Sequence, residues 1–229
     1  MGNLRTDNFA IGKLSDEFLA TLTDAQLAEI SHLMWYEAEL QRGISLGQKW
    51  VYTNSNEFSP QATTFDHMVA SGKYGVNCAM PTGWVVVDLG ILNEGQRFWG
   101  GSDGVFMREN EVRAQLEEAC DVFELEGHPV FQEAYEAGKI ESGDMILSHG
   151  HTYIWIGDGK FHAAGHDGKW HSDPTAPTED GAHAVFESWI MDYDNCANKH
   201  HRVAHIIRLK KDYVPKNYRN TKGEIVPNV

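Results

Sequence analysis

The chain has 229 residues, with 19 Lys and Arg against 33 Asp and Glu, for a formal net charge of −14. Hydrophobic residues make up 41% and aromatic residues 11%, which excludes a disordered or low-complexity chain and supplies the bulky side chains of a sizeable core. So acidic a chain is a poor match for non-specific nucleic-acid binding or docking on anionic membranes, both of which need clustered Lys and Arg.

No run approaches the ~18 apolar residues of a membrane span. The longest, residues 84–92, is broken by Asp88 and Gly90. The first residues lack the apolar segment of a signal peptide. Cys78, Cys120 and Cys196 are too few, and odd in number, for a disulfide framework. One bridge plus a free thiol fits the count, as does a reduced chain with one reactive cysteine.

In chain order, Thr23 with Gln26 forms a capping-box pattern. Leu27, Ile30, Leu33, Met34 and Leu40 follow at helical spacing, and Gly43 is a stop. Ser59-Pro60 predicts a helix running to residues 71–72. A further helix is predicted from Cys78 to Gly90, with Pro81 tolerated in its first turn. Two more are expected over residues 109–120 and 130–137. After Gly143 the pattern alternates, predicting strands over 145–147, 151–156, 160–164 and 203–209. Gly157-Asp158-Gly159 is a hairpin signal, and residues 165–178 read as a surface loop. Helices followed by an antiparallel sheet predict an α+β class.

Two residues stand out chemically. A cysteine at a helix start feels the positive end of the helix dipole, which favours the thiolate. The first-turn N–H groups point where an oxyanion would form. Cys78 has this setting, although most free cysteines are simply small buried hydrophobes. His151 opens a strand after Gly150, where a general base is held rigidly near a sheet end. His162 sits on the hairpin partner strand, and is expected to lie beside His151 and orient it. Taken singly, each histidine is as well explained by strand packing.

Taken together, Gly143-Asp144-Met145-Ile146-Leu147 and the run from Gly150-His151-Thr152-Tyr153 through Gly159-Lys160-Phe161-His162-Ala163 resemble the NlpC-type cysteine peptidases. The resemblance covers roughly residues 46–209, and is most specific around His151. It implies a papain-like fold over residues 46–229, behind an N-terminal helical extension over 1–45. It further implies a cysteine hydrolase cleaving amide bonds in bacterial cell-wall (peptidoglycan) peptides, with no cofactor and no metal. Cys78 maps onto the nucleophile, His151 onto the base and His162 onto the third residue, with His166 as the alternative. Leu46-Gly47-Gln48-Lys49-Trp50-Val51-Tyr52 resembles the family segment whose Tyr assists the oxyanion, which makes Tyr52 that residue and Tyr74 the alternative. The implied site of action is the cell wall, reached by secretion or phage delivery.

The chain departs from the family in two ways. Asn77-Cys78-Ala79-Met80 replaces Asp-Cys-Ser-Gly, and the family's Asp engages the substrate's free amine. The step from His151 to His162 is one residue shorter than usual, which turns His162 to the other sheet face unless a bulge absorbs it. Two other readings therefore stay open: an amidase or acyltransferase acting on a non-wall substrate, and an inactive binding module on the same scaffold.

The remaining candidates read as structural. His149-Gly150-His151 offers two zinc ligands, but no His-Glu-x-x-His or Cys-x-x-Cys motif completes a site. His205, alternating with Val203 and Ile207, is expected to be a hydrogen-bonded core histidine. Cys120 is expected to be structural and Cys196 to lie in a loop. Trp99, Trp155, Trp170 and Trp189 line either a substrate groove or the core.

Overall fold

The computed structural model describes residues 51–52, 61–73, 75–157, 160–162, 164, 188–190, 200–210, 213, 216–219 and 225–227. The N-terminal helical extension, Tyr74, His166, Trp170, the 165–178 loop and Cys196 lie outside them.

The described residues form an α+β arrangement of helices and antiparallel sheet. The main sheet has six strands. These are β5 (Cys120–Glu124), β6 (Met145–Ser148), β7 (His151–Gly157), β8 (Lys160–His162), β9 (Ser188–Ile190) and β10 (Val203–Leu209). They lie in the order β5-β10-β6-β7-β8-β9, and every pairing is antiparallel. Three short pairs accompany it: β1 (Val51–Tyr52) with β2 (Gly75–Val76), β3 (Trp99–Gly100) with β4 (Phe106–Met107), and β11 (Asn217–Arg219) with β12 (Ile225–Pro227).

Strand alternation sorts the core into two faces. On one, Met145, Leu147, Ile154 and Ile207 pack against Val85 and Val86 of helix α2 (Ala79–Asp88) and its C-cap residue Leu89, and against Val112 and Leu116 of helix α3 (Glu109–Ala119). On the other, Ile146, Tyr153, Trp155, Phe161 and Ile206 pack around Phe131 and Ala134 of helix α4 (Phe131–Glu136). Helix α1 (Phe65–Ala70) brings Met68 into a third cluster with Val76, Met80, Trp84 and Ala164.

The α2 and α3 helices and four of the sheet strands fall within a residue or two of their sequence signals. The helix expected from Ser59-Pro60 is shorter. It begins at Phe65, where Thr64 Oγ1 accepts the His67 N–H at 3.1 Å. Gln61 takes a left-handed φ of 51° and so cannot belong to that helix.

The sequence reading put residue 120 at a helix end and did not foresee β5, the edge strand it opens, or the outer strand β9. A shift in register between Val203 and His205 sends Val203 to the α4 cluster, so it does not share a face with Ile207.

Asp144, just before β6, is fully buried. It accepts two hydrogen bonds from Arg208 on β10, from Nε at 2.8 Å and from Nη2 at 2.7 Å. Burial pushes its carboxyl up and the guanidinium pulls it back. The pair clamps two sheet neighbours together at their edges.

Candidate active site

The start of α2 is built from local sequence. Cys78 is the N-cap residue, and Asn77 Oδ1 accepts the Ala79 N–H at 3.1 Å. Pro81 occupies the first turn, where no donor is needed. Thr82 to Asp88 are all buried, so the helix is held on every side. The Asn77 side-chain oxygen is thus engaged in capping the helix.

The Cys78 thiol is 9% exposed and meets two partners from distant parts of the chain. The Tyr52 hydroxyl and the Thr152 main chain hydrogen-bond to the sulfur, with the main chain of Cys78 and Ala79 adding to them. Tyr52 arrives because β1 pairs in parallel with β2, setting Tyr52 opposite Val76, two residues before Cys78. Thr152 arrives because α2 packs on the Thr152–Ile154 face of β7. Each of these donors favours a thiolate, but burial outweighs them and pushes the thiol up from its ordinary value. The helix dipole alone therefore does not give the depressed thiol expected from sequence.

His151 is the residue before Thr152. Its half-buried ring lies edge-on to His201, with centroids 5.2 Å apart, and 5.4 Å from the Tyr153 ring. These contacts place it on the α4 side of the sheet, while Thr152 faces α2. Cys78 and His151 thus approach the same point of β7 from its two sides.

The main-sheet register separates the two histidines that sequence placed side by side. His162 pairs with Ile154, a register position on the face opposite His151. The irregularity between Trp155 and Gly157 does not bring it back. The shorter hairpin is the reason.

Several residues at this end of the sheet were not singled out from sequence. The Gly100 N–H donates to Thr152 Oγ1 at 3.0 Å, which fixes the strand beside Cys78. A Cβ on Gly100 would stand 2.1 Å from the Ser148 carbonyl oxygen, so only glycine allows this approach. His201 is half-buried, and burial, followed by the charge of His200, pushes its ring down from the ordinary imidazole value. Its Nδ1 has no hydrogen-bond partner among the described residues. The tandem His200-His201 before β10 was the only sequence signal for it. His128 Nδ1 and His149 Nε2 share a hydrogen bond at 2.9 Å. Among the described residues, no group of three His, Cys, Asp or Glu is arranged to hold a metal ion.

The other expectations resolve simply. Cys120 is buried, and its thiol is pushed up to about 12 by burial. His205 is buried against the Phe106 ring at 5.5 Å, and its Nδ1 has no hydrogen-bond partner among the described residues. Trp155 belongs to the core at 2% exposure, while Trp99 is half-buried beneath Arg97. No helix among the described residues is long and apolar enough to cross a membrane.

In comparisons with family models, with curated proteins and with solved structures, nothing matches this chain.

Proposed function

We propose that this chain is a cysteine hydrolase of amide bonds in bacterial cell-wall peptides, built on a papain-like scaffold of the NlpC type. The observation that carries the reading is the meeting of Cys78, Tyr52 and the Thr152 main chain at the start of α2, one residue from His151. A nucleophile at a helix start, a hydroxyl donor beside it and a histidine at the adjacent strand position are the parts acyl transfer requires.

In this reading the Cys78 sulfur attacks the amide carbonyl as its proton passes to His151, a step that requires the His151 ring to turn round the start of β7 from the α4 side to the sulfur. Burial holds the resting thiol neutral, so the proton leaves during the attack and not before it. The carbonyl electrons move to oxygen, where the helix-start N–H groups and the Tyr52 hydroxyl receive the charge. The C–N bond then breaks and His151 returns its proton to the departing amine. Water attacks the thioester, with His151 again accepting a proton, and releases the acid and the free Cys78 thiol. The His201 and Tyr153 rings hold His151 at rest on the α4 side, and the third residue expected at His162 has no counterpart in this reading.

A second reading keeps the same nucleophile and a different acyl substrate. The use of the Asn77 side chain as a helix cap favours it, because the family's usual contact to a free amine is missing. Product analysis separates the two. Purified stem peptides incubated with the protein should yield fragments with a new amine and a new carboxylate by mass spectrometry. Intact peptides alongside turnover of a non-wall amide would replace the first reading with the second.

A further inference from the structure

A cavity of about 250 Å³ lies between α1 and the start of α3, lined in part by Gln61, Thr63, Arg97 and Arg108. Among its residues Thr63 is buried and Arg97 half-buried. Two of them lie close in the chain to residues that pack near the candidate active site. Arg97 leads through Trp99 to Gly100, which holds Thr152. Thr63 follows Ala62, whose carbonyl accepts the Trp84 indole N–H from α2 at 3.0 Å.

The charges in this cavity are not balanced pairwise. Arg108 is paired with Glu111 at 2.6 Å, and His67 lies 3.8 Å from Glu94. Arg97 donates to the neutral Gln61 Oε1 and lies 5.6 Å from the centre of the Trp99 ring. Among the described residues no carboxylate pairs with it. Burial, and then the charge of Arg108, push its guanidinium down from its ordinary value. The backbone is strained at the same place. Of three non-glycine residues with left-handed φ among those described, two line this cavity: Gln61 at 51° and Arg108 at 65°. Such conformations persist where the surroundings over-determine them, often at ligand sites.

We infer that this cavity is a binding site for a carboxylate, such as the C-terminus of a short peptide, with Arg97 as its principal partner. The planar guanidinium, steadied on Trp99, presents paired donors that match a carboxylate. Glu94 and Glu111 at the rim disfavour a dianion, so a singly charged carboxylate fits better than a phosphate. This goes beyond the reading above and is tested by binding and not by turnover.

Calorimetric titration of the Cys78→Ala protein with an acetylated Ala-Ala dipeptide tests it, using the free acid, the C-terminal amide and inorganic phosphate. The acid should bind about tenfold or more tightly than the amide, as a charge-assisted pair requires. Arg97→Gln should abolish that preference and Arg97→Lys should keep part of it. Equal affinity for acid and amide, binding of neither, or phosphate binding more tightly than the acid would each overturn the inference. If Arg97→Gln does not fold, the acid–amide comparison with Arg97 in place decides alone. A preference for the acid in a protein that hydrolyses no peptide would leave the site standing and remove the hydrolase.

Discussion

At the scale of single residues, the environment of Cys78 is a contest between desolvation and donated hydrogen bonds, and desolvation wins. Alkylation by iodoacetamide should therefore have its midpoint above the ordinary thiol value of ~8.5. Tyr52→Phe removes a donor that favours the thiolate, so it should move that midpoint higher still. If the hydroxyl also receives the oxyanion, turnover should fall by about 10²- to 10³-fold, the usual cost of one such donor. An unchanged midpoint in Tyr52→Phe would show that the hydroxyl does not reach the sulfur. Asn77 acts on the helix, so Asn77→Ala should cost about 1 kcal/mol in a denaturant melt, and Asn77→Asp should recover most of it. The cysteine and its helix start were legible because a turn, a first-turn proline and a thiol are local features. Tyr52 was reached only through the family resemblance, because its contact depends on a parallel pairing between distant segments.

At the scale of elements, two joints hold the sheet in the form the site needs. Arg208 ties β10 to the buried Asp144 before β6. Arg208→Met should cost about 3–5 kcal/mol, since it leaves a buried carboxylate without its partner. Chemical denaturation would read this, and a loss below 1 kcal/mol would show the clamp to be incidental. The second joint is β3 lying against the β6–β7 turn. Gly100→Ala has no room for its methyl against the Ser148 carbonyl, so it should weaken both stability and any activity that depends on Thr152. Strand periodicity made β6, β7, β8 and β10 readable, but not the partner of each residue. The pairing of His162 with Ile154 depends on hairpin length, and the displacement of Val203 on a bulge in β10. Neither leaves a mark in the alternation itself. The edge strand β5 was hidden because it follows α3 with no turn between them.

At the scale of the whole molecule, two buried thiols tie stability to pH. Cys78 and Cys120 both have folded-state values above those of the unfolded chain, Cys120 at about 12 against an ordinary 9.0. Their contribution is complete below the unfolded value and is lost as pH rises through the window above it. Between about pH 9 and 12, Cys120 alone should cost up to about 1.4 kcal/mol per unit. Cys120→Ala should flatten that part of the curve, as followed by melting temperature against pH. The net charge of −14 sets a different constraint. If the proposed cell-wall hydrolase reading holds, so acidic a chain is repelled by anionic wall polymers and is expected to turn over soluble fragments faster than intact wall. The α+β class was readable from the order of helical and alternating segments. The assembly of the site was not, because Tyr52, Cys78, the His151-Thr152 pair and His201 come from four separate stretches. The most direct measurement is the hydrolysis of purified stem peptides by the wild type, Cys78→Ala and Cys120→Ala, compared under identical conditions. Cleavage by the wild type and by Cys120→Ala, with none by Cys78→Ala, is the result expected. Undiminished cleavage by Cys78→Ala would contradict Cys78 as the nucleophile.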